Sequence, residues 1–285
     1  MSKKSQGVTL AKANDAVLGA FGRARRSEDL DHVVRYLSTW SGSDKLLMIL
    51  QYGLKVLVPL IELRARVQHR AGVRVDTLQD GKAISSLRTL SSGISDARML
   101  GRIWGLLPII QWMISMEKSQ PATRNLLIIE RLQGWSMLAY YPLEHIYYLA
   151  SHKMIPWKIS RRTLDTIGLW STRFWAAYVL LQFLHLREDW KLVRLNERAL
   201  KAQEKGKATD LPVTDGHAPV VDGWRELAKR KRAMAYDAVV NTAYLPLTIH
   251  WSLERGFLPN NEGIIGALGL AAGLASFRAG WEATK

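Results

Sequence analysis

The stretch that most constrains the fold covers residues 82–115, KAISSLRTLSSGISDARMLGRIWGLLPIIQWMIS. At about 100° per residue, a helix here has an apolar side and a polar side. The apolar side carries Leu87, Leu90, Ile94, Ala97, Leu100 and Trp104, and the polar side carries Ser85, Arg88, Ser92, Ser95, Asp96 and Arg102. From residue 103 to residue 114 the polar side disappears, apart from Pro108 and Gln111. This apolar part has the length of an interfacial segment and is too short to span a bilayer core of roughly 30 Å. A core helix with one solvated face is the alternative at this point.

The chain is strongly basic, with 40 Lys and Arg against 25 Asp and Glu and a net charge of +15. Such a charge favours a polyanionic partner, either a nucleic acid or the phosphate groups of a membrane. The cations flank apolar stretches, and the 11 Trp and 9 Tyr lie near the same edges. Amphipathic rings lie at headgroup level in membrane proteins. We therefore predict that the partner is anionic membrane phospholipid and not nucleic acid.

Three further stretches carry apolar helical patterns. Residues 46–63 have an unusually wide apolar side that must be buried in protein or in lipid. Residues 124–156 are rich in Tyr and Trp, which predicts a pair of helices at the membrane interface. Residues 167–186 are long enough to span a bilayer, although Arg173 would cost about 3 kcal/mol at its centre. A membrane span at residues 167–186 is therefore one of our expectations.

Residues 263–280, GIIGALGLAAGLASFRAG, place small side chains in a single stripe along a helix. The stripe consists of Gly266, Gly269, Gly273, Ser276 and Gly280. A G-x-x-x-G spacing permits close contact between helices in lipid. The stripe predicts helix packing and self-association of copies in a membrane, and the alternative is a buried helix that packs its glycines against a neighbour.

Together these patterns predict an all-α fold: a membrane-associated helical bundle with amphipathic interfacial helices and one or more membrane-spanning helices. We divide the chain into a mobile basic arm at residues 1–28 and an amphipathic, membrane-embedded helical region at 29–205. Residues 206–222, rich in Gly, Pro, Thr and Asp, are predicted to be a linker. Residues 223–285 follow as C-terminal membrane helices with the Gly-rich segment.

The sequence contains no recognisable catalytic motif. H-E-x-x-H, a P-loop, G-x-G-x-x-G and G-x-S-x-G are all missing, and of the seven histidines only His145 and His152 could share a helical face. Because there is no cysteine, there can be no disulfide and no Cys-bearing metal site. We predict a protein that is not an enzyme, with no catalytic residue, no metal and no cofactor.

The order of several blocks resembles the fungal-type members of the peroxin 11 family, peroxisomal membrane proteins that elongate and help divide peroxisomes. Near the N-terminus the chain has the family's Gly-x-Asp-Lys turn and Gln-Tyr pair, here Gly42, Asp44, Lys45, Gln51 and Tyr52. The block LSSGISDARMLGRIWGLLPIIQW is similar to the family's basic amphipathic helix, and the candidate lipid-facing cations of this region are Lys82, Arg88, Arg98 and Arg102. Further on, an Arg-Phe-Trp block and an Asp-containing helix are also similar, with Arg173, Phe174, Trp175 and Asp237.

The resemblance implies an integral protein of the peroxisomal membrane with both termini in the cytosol. It also implies homo-oligomerisation and recruitment of division machinery, including a dynamin-related GTPase. The implied function is to elongate the membrane by inserting amphipathic helices, which promotes peroxisome proliferation and fission. An alternative within the family is a metabolite-permeable pore, for which Arg173, Asp165 and Asp237 are possible lining charges. A soluble basic scaffold is a third possibility, and such a protein would leave membranes in alkaline carbonate.

Overall fold

The computed structural model describes residue 19 and residues 25–72, 77–156, 158–207, 218–258 and 262–285. This part of the chain is helical and contains no strand, which confirms the all-α prediction. The helices are α1 (Glu28–Leu37), α2 (Trp40–Arg70), α3 (Thr77–Gly101), a 3₁₀ turn (Arg102–Gly105), α4 (Leu106–Lys118), α5 (Arg124–Ser151), α6 (Arg161–Lys207), α7 (Ala218–Ser252) and α8 (Glu262–Ala283). Nearly all of the predicted arm and most of the predicted linker lie outside the described residues, so the division into segments stays a prediction.

Side-chain caps explain where several helices begin. The hydroxyl of Ser27 accepts a hydrogen bond from the Leu30 amide at the start of α1, and Thr39 and Thr123 cap α2 and α5 in the same way. Such caps satisfy amide groups that have no partner within the helix. Proline at positions 59, 142 and 246 lies inside α2, α5 and α7, so these helices continue through the proline residues.

The helices pack in a closed ring. α2 packs against α3 on one side and against α8 on the other. From α8 the contacts continue to α7, then to α6, to α5 and to α4, which follows α3 through the 3₁₀ turn. The ring therefore brings α2 and α8 together around a central space.

The glycine stripe of α8 packs against α1 and α2 of the same chain. A methyl group added at Gly266 would lie 2.9 Å from the backbone of Lys55, and one at Gly269 would collide with the ring of Tyr52. A methyl group at Gly280 would collide with Tyr36, and one at Gly273 would lie 3.3 Å from Ile49, a close but not colliding contact. Ser276 is half-buried on the same helix. The stripe thus makes an intramolecular contact, which is the alternative of a helix that packs its glycines against a neighbour. Its role in self-association stays a prediction.

Three helical runs among the described residues are long and apolar enough to cross a membrane: Trp40–Arg70, Gly81–Lys118 and Glu262–Ala283. The second run comprises α3 from Gly81 onward, the 3₁₀ turn and α4, and it has 38 residues. Residues 103–114, which alone are too short to span a bilayer, are therefore part of a helical run that is long enough to do so. Residues 167–186, which we expected to span, are not among the three. Arg173 and Gln182 lower the hydropathy of that stretch, and it lies inside the much longer helix α6.

Helix α6 is the longest, with 47 residues, and its charged C-terminal half packs along the first half of α7. A small apolar cluster around Val193, Leu227 and Met234 joins the two helices. Ion pairs from Arg230 to Asp189 and from Lys231 to Glu197, both at 2.7 Å, flank this cluster. The charged halves of α6 and α7 therefore form a two-helix hairpin at one end of the bundle.

Candidate membrane-binding face and central cavity

The outer face of α3 and α4 exposes large apolar side chains. Leu90, Leu100 and Trp104 are 54%, 48% and 67% exposed. Of the other residues predicted on this face, Ala97 is exposed and Leu87 and Ile94 are half-buried. The apolar surface continues along the 3₁₀ turn and α4 through Ile103, Leu107, Ile110 and Ile114. Since exposed apolar surface of this extent usually marks an interaction site, the face is a candidate for contact with lipid.

The inner face of α3 is fixed to α2 by Arg98. This arginine is 4% exposed, and its Nε donates to Asp44 Oδ1 at 2.8 Å while its Nη1 donates to Gln51 Oε1 at 2.7 Å. Our assignment of Arg98 as a lipid-facing cation is therefore wrong. Its guanidinium is neutralised inside the bundle by residues of the Gly-x-Asp-Lys and Gln-Tyr block.

Arg102 makes an equivalent contact with α5. Its Nη1 donates to Glu144 Oε1 at 2.6 Å and to the Tyr140 hydroxyl at 2.9 Å. The Tyr140 hydroxyl in turn donates to Glu144 Oε1, and burial raises the pKa of Tyr140 well above its ordinary value, so the proton stays on the phenol. Arg102 is thus also turned inward, and its assignment as lipid-facing is wrong as well.

The remaining predicted cations lie at the surface near the start of α3. Lys82 is exposed. Arg88 is half-exposed and forms ion pairs with Glu62 of α2 at 2.9 Å and with Glu262 of α8 at 3.2 Å. Because exposed pairs of this kind exchange readily with solvent, Arg88 and Lys82 are available to phosphate groups in a way that Arg98 and Arg102 are not.

Behind the outer face, the ring of helices surrounds a partly open cavity of about 950 Å³. Charged residues of both signs line it: Asp44, Lys55, Arg98, Arg102, Glu144 and Asp165. Aromatic residues form much of the remaining wall: Trp40, Tyr52, Tyr140, Tyr141, Tyr147, Trp175, Tyr244 and Trp251. The cavity therefore combines a charge-paired network with a broad aromatic surface.

Trp175 of α6 is the centre of the aromatic wall. Its ring centroid lies 5.3 Å from Tyr244 in an edge-to-face arrangement, 5.9 Å from Trp251 in a stacked one, and 6.2 Å from Tyr140. These distances lie in the range of favourable ring pairs. The wall is thus built from α5, α6 and α7 and is held by contacts among its own rings.

Of the Arg-Phe-Trp block, only Trp175 lines the cavity. Arg173 donates to the backbone oxygen of Ser252 at 3.3 Å and lies over the ring of Trp170. Phe174 also contacts Trp170, at 6.0 Å between centroids. The three charges proposed to line a pore are therefore not brought together: Asp165 lines the cavity, but Arg173 does not.

The other residues of the family-like blocks have structural roles. Gly42 is buried at the start of α2, where an added methyl group would collide with the Tyr36 carbonyl, and its amide donates to the Thr39 hydroxyl at 3.0 Å. Lys45 is half-buried on α2. Asp237 is exposed on α7 and is not among the cavity-lining residues. Among the residues that the structure describes, no group of three or more His, Asp or Glu could hold a metal ion.

Sequence reasoning missed Glu144 and its partner Tyr140. The signal was present, because a carboxylate lies within the Tyr-rich second half of α5 and is four residues from Tyr140, the spacing that places both on one helical face. A buried charge must be paired, so this glutamate predicts a cationic partner from another helix.

The model of the peroxisomal biogenesis factor 11 (PEX11) family matches residues 30–281. Comparison with curated proteins and with solved structures finds no match. The matching family consists of peroxisome biogenesis factors, which implies the peroxisomal membrane and a role in peroxisome biogenesis and proliferation, and it is not a known enzyme family. Because the match covers nearly all of the sequence, the chain belongs to the peroxisomal biogenesis factor 11 family.

Proposed function

We propose that this protein elongates and shapes the peroxisomal membrane by inserting the outer face of α3 and α4 into the cytosolic leaflet. The observation that carries the proposal is the two-sided construction of this segment. Leu90, Leu100 and Trp104 are exposed on one side, and Arg98 and Arg102 are tied to the bundle on the other. The apolar side has no partner within the described part of the chain that would bury it.

The physical mechanism is a wedge. A helix buried about 5–10 Å into one leaflet occupies area there and not in the opposite leaflet, so the bilayer curves toward the inserted side. Arg88, Thr89 and Ser92 expose polar groups beside Leu90, which favours an interfacial depth for the first half of the segment. Since the ion pairs hold the segment to α2 and α5, the whole bundle supports the wedge.

The proposal extends to the consequences of such insertion. Self-association of many copies would concentrate the wedges, and recruitment of division machinery such as a dynamin-related GTPase would convert an elongated membrane into separate organelles. In this way membrane shaping leads to peroxisome proliferation and fission. The proposal places both termini of the protein in the cytosol.

Reconstitution of the full chain in anionic liposomes tests the wedge. The wild-type protein is expected to form tubules, and the Leu90→Glu, Trp104→Glu double variant is expected to lose this activity because charged side chains disfavour burial in hydrocarbon. Leu195→Glu is the matched control, because Leu195 is equally exposed, at 57%, but lies on the charged half of α6. Tubulation by the double variant at the wild-type level would contradict the proposal.

A metabolite-permeable pore is the second candidate, and the ring of helices around a charged cavity favours it. Asp165 suits a test because it lines the cavity and its ion pair with Arg161 is exposed, so neutralising it should leave folding intact. Under this alternative, planar bilayers containing the protein conduct, and Asp165→Asn changes the ion selectivity. A wedge without a pore predicts no such conductance.

A further inference from the structure

One carboxylate oxygen in the cavity wall has no partner. Glu144 is nine-tenths buried, and both Arg102 and Tyr140 donate to its Oε1. Its Oε2 is buried and has no hydrogen-bond partner among the residues that the structure describes. Because a buried acceptor without a partner costs free energy, native proteins rarely leave one unless a ligand or another group compensates it.

The wall around this carboxylate is aromatic. Tyr140, Tyr244 and Trp251 each contact Trp175, and all four line the cavity with Glu144. Aromatic faces attract cations, and clusters of rings bind quaternary ammonium groups in particular. A quaternary ammonium also needs no hydrogen-bond acceptor. A carboxylate charge beside aromatic rings, whose unpartnered oxygen is buried, therefore suits this cation better than it suits a primary amine.

The lining charges are balanced. Asp44, Glu144 and Asp165 face Lys55, Arg98 and Arg102. The Arg98 and Arg102 guanidinium groups are already paired with Asp44 and Glu144, whereas the Lys55 ammonium lies 5.6 Å from the Tyr52 ring centroid, on the α2 side of the cavity. A cavity with this distribution suits a zwitterion, in which the cationic end meets the rings and the anionic end meets the lysine.

We propose that the cavity binds a phosphocholine group. The quaternary ammonium lies against Trp175, Tyr244 and Trp251 near Glu144, and the phosphate lies near Lys55. The group could belong to a membrane phosphatidylcholine or to free phosphocholine, and two features favour the lipid. The cavity, about 950 Å³, is at the upper end of the range of roughly 300–1,000 Å³ for small-molecule sites. Pro108 and Ile109 of α4 line it, beside the exposed apolar face. The argument from Pro108 and Ile109 rests on the proposed function, in which the apolar face inserts into lipid.

Binding can be measured on the full chain in maltoside detergent, by thermophoresis with soluble short-chain lipids. The probes are diheptanoyl phosphatidylcholine, diheptanoyl phosphatidylglycerol and free phosphocholine. We expect saturable binding of the phosphatidylcholine, and binding of the phosphatidylglycerol, which lacks the ammonium, that is weaker by about tenfold or more. Free phosphocholine that binds as tightly as the lipid identifies the soluble compound as the ligand, and much weaker binding identifies the lipid.

Two variants and two matched controls locate the site. Glu144→Gln and Trp251→Leu are each expected to weaken phosphatidylcholine binding by about tenfold. Glu226→Gln and Trp190→Leu, at exposed positions on α7 and α6 outside the cavity, are expected to leave it unchanged. If Glu144→Gln does not fold, Trp251→Leu carries the test because it leaves both arginine pairs intact.

The proposal is overturned if phosphatidylglycerol binds as tightly as phosphatidylcholine, or if the folded variants keep the wild-type affinity. Neither result would bear on the wedge, because tubulation of anionic liposomes is a separate measurement on the outer face. A wedge variant such as Leu90→Glu, Trp104→Glu should conversely retain phosphatidylcholine binding. An experiment can therefore contradict the phosphocholine site without contradicting the wedge, and the reverse also holds.

Discussion

Arg98 of α3 and Asp44 of α2 form a bidentate ion pair, with Nε 2.8 Å from Oδ1 and Nη2 3.3 Å from Oδ2. The arginine side chain is 5% exposed and the aspartate 21%. The two residues come from separate family-like blocks, the Gly-x-Asp-Lys turn and the amphipathic helix. The pair therefore fixes the segment that we propose to insert into lipid against α2.

The first prediction concerns this pair. Arg98→Ala should lower the free energy of unfolding by about 3–5 kcal/mol, because it leaves the Asp44 carboxylate without its partner. Arg88→Ala is the matched control, since both ion pairs of Arg88 are largely exposed and should contribute only about 0–1 kcal/mol. Chemical denaturation in detergent, followed by circular dichroism, measures the difference. Equal effects of the two variants would show that Arg98 is not buried as described.

The second prediction concerns the glycine stripe. Gly266→Ala should destabilise the protein by about 1–3 kcal/mol, because the added methyl group meets the Lys55 backbone and α8 must shift away from α2. Gly53→Ala is the control within α2, where nothing lies within 4 Å of the added group, and it should stabilise the helix by up to about 1 kcal/mol. Thermal unfolding of both variants measures this.

If the glycine stripe instead formed a contact between two copies of the protein, Gly266→Ala would have a different effect. In that case Gly266→Ala would leave the unfolding temperature unchanged and would shift the population from oligomer to monomer. Light scattering beside the thermal measurement distinguishes an intramolecular contact from an intermolecular one. Loss of oligomer at constant stability would contradict the packing of α8 against α2.

The third prediction concerns pH and the α6–α7 hairpin. Hydrogen bonds from Lys201 and Lys231 lower the pKa of Glu197 to about 2. For a carboxylate whose folded pKa is lowered, the favourable contribution is present above the ordinary pKa and is lost as pH falls through the folded value. The bridge from Glu197 to Lys231 should thus persist at pH 4. Carboxyl carbon shifts in NMR should titrate near pH 2, and Lys231→Gln should raise this midpoint; a wild-type midpoint above 4 would contradict the bridge.

The fourth prediction concerns membrane association. Three apolar helical runs and the exposed apolar side chains along them should retain the protein in the membrane pellet after extraction with alkaline carbonate. A peripheral marker protein that carbonate releases serves as the control. Release of this chain into the supernatant would instead favour a soluble basic scaffold.

Helical periodicity predicted the exposed apolar side of α3 correctly, but it could not predict the surroundings of the polar side. Leu90, Leu100 and Trp104 are on the exposed apolar side as the spacing indicates. Periodicity separates the two sides of a helix, but it does not tell whether a polar side meets solvent, headgroups or another helix. Arg98 and Arg102 were misassigned for this reason, since their partners Asp44 and Glu144 lie 54 and 42 residues away in the sequence.

The glycine stripe and the cavity illustrate the same limit. The spacing from Gly266 to Gly280 predicts a close contact between helices, but it does not identify the partner helix. The cavity takes its walls from α2 through α7, so no local pattern could predict it. Residues 167–186 were expected to span because of their length, with Arg173 as a cost, and they are not among the three apolar runs because Arg173 and Gln182 lower the hydropathy of the stretch.

The length of α6 has a consequence for how partners could be recruited. At 1.5 Å per residue its 47 residues extend about 70 Å, more than twice the roughly 30 Å of a bilayer core. If α6 is aligned with the membrane normal beside the three apolar runs, although it is not one of them, its tip and the paired half of α7 would lie tens of ångströms beyond the headgroups. Membrane charge is screened within about 8 Å at physiological salt. A protein docked at that tip would therefore respond to the side chains of the hairpin and would be insensitive to the lipid composition beneath it.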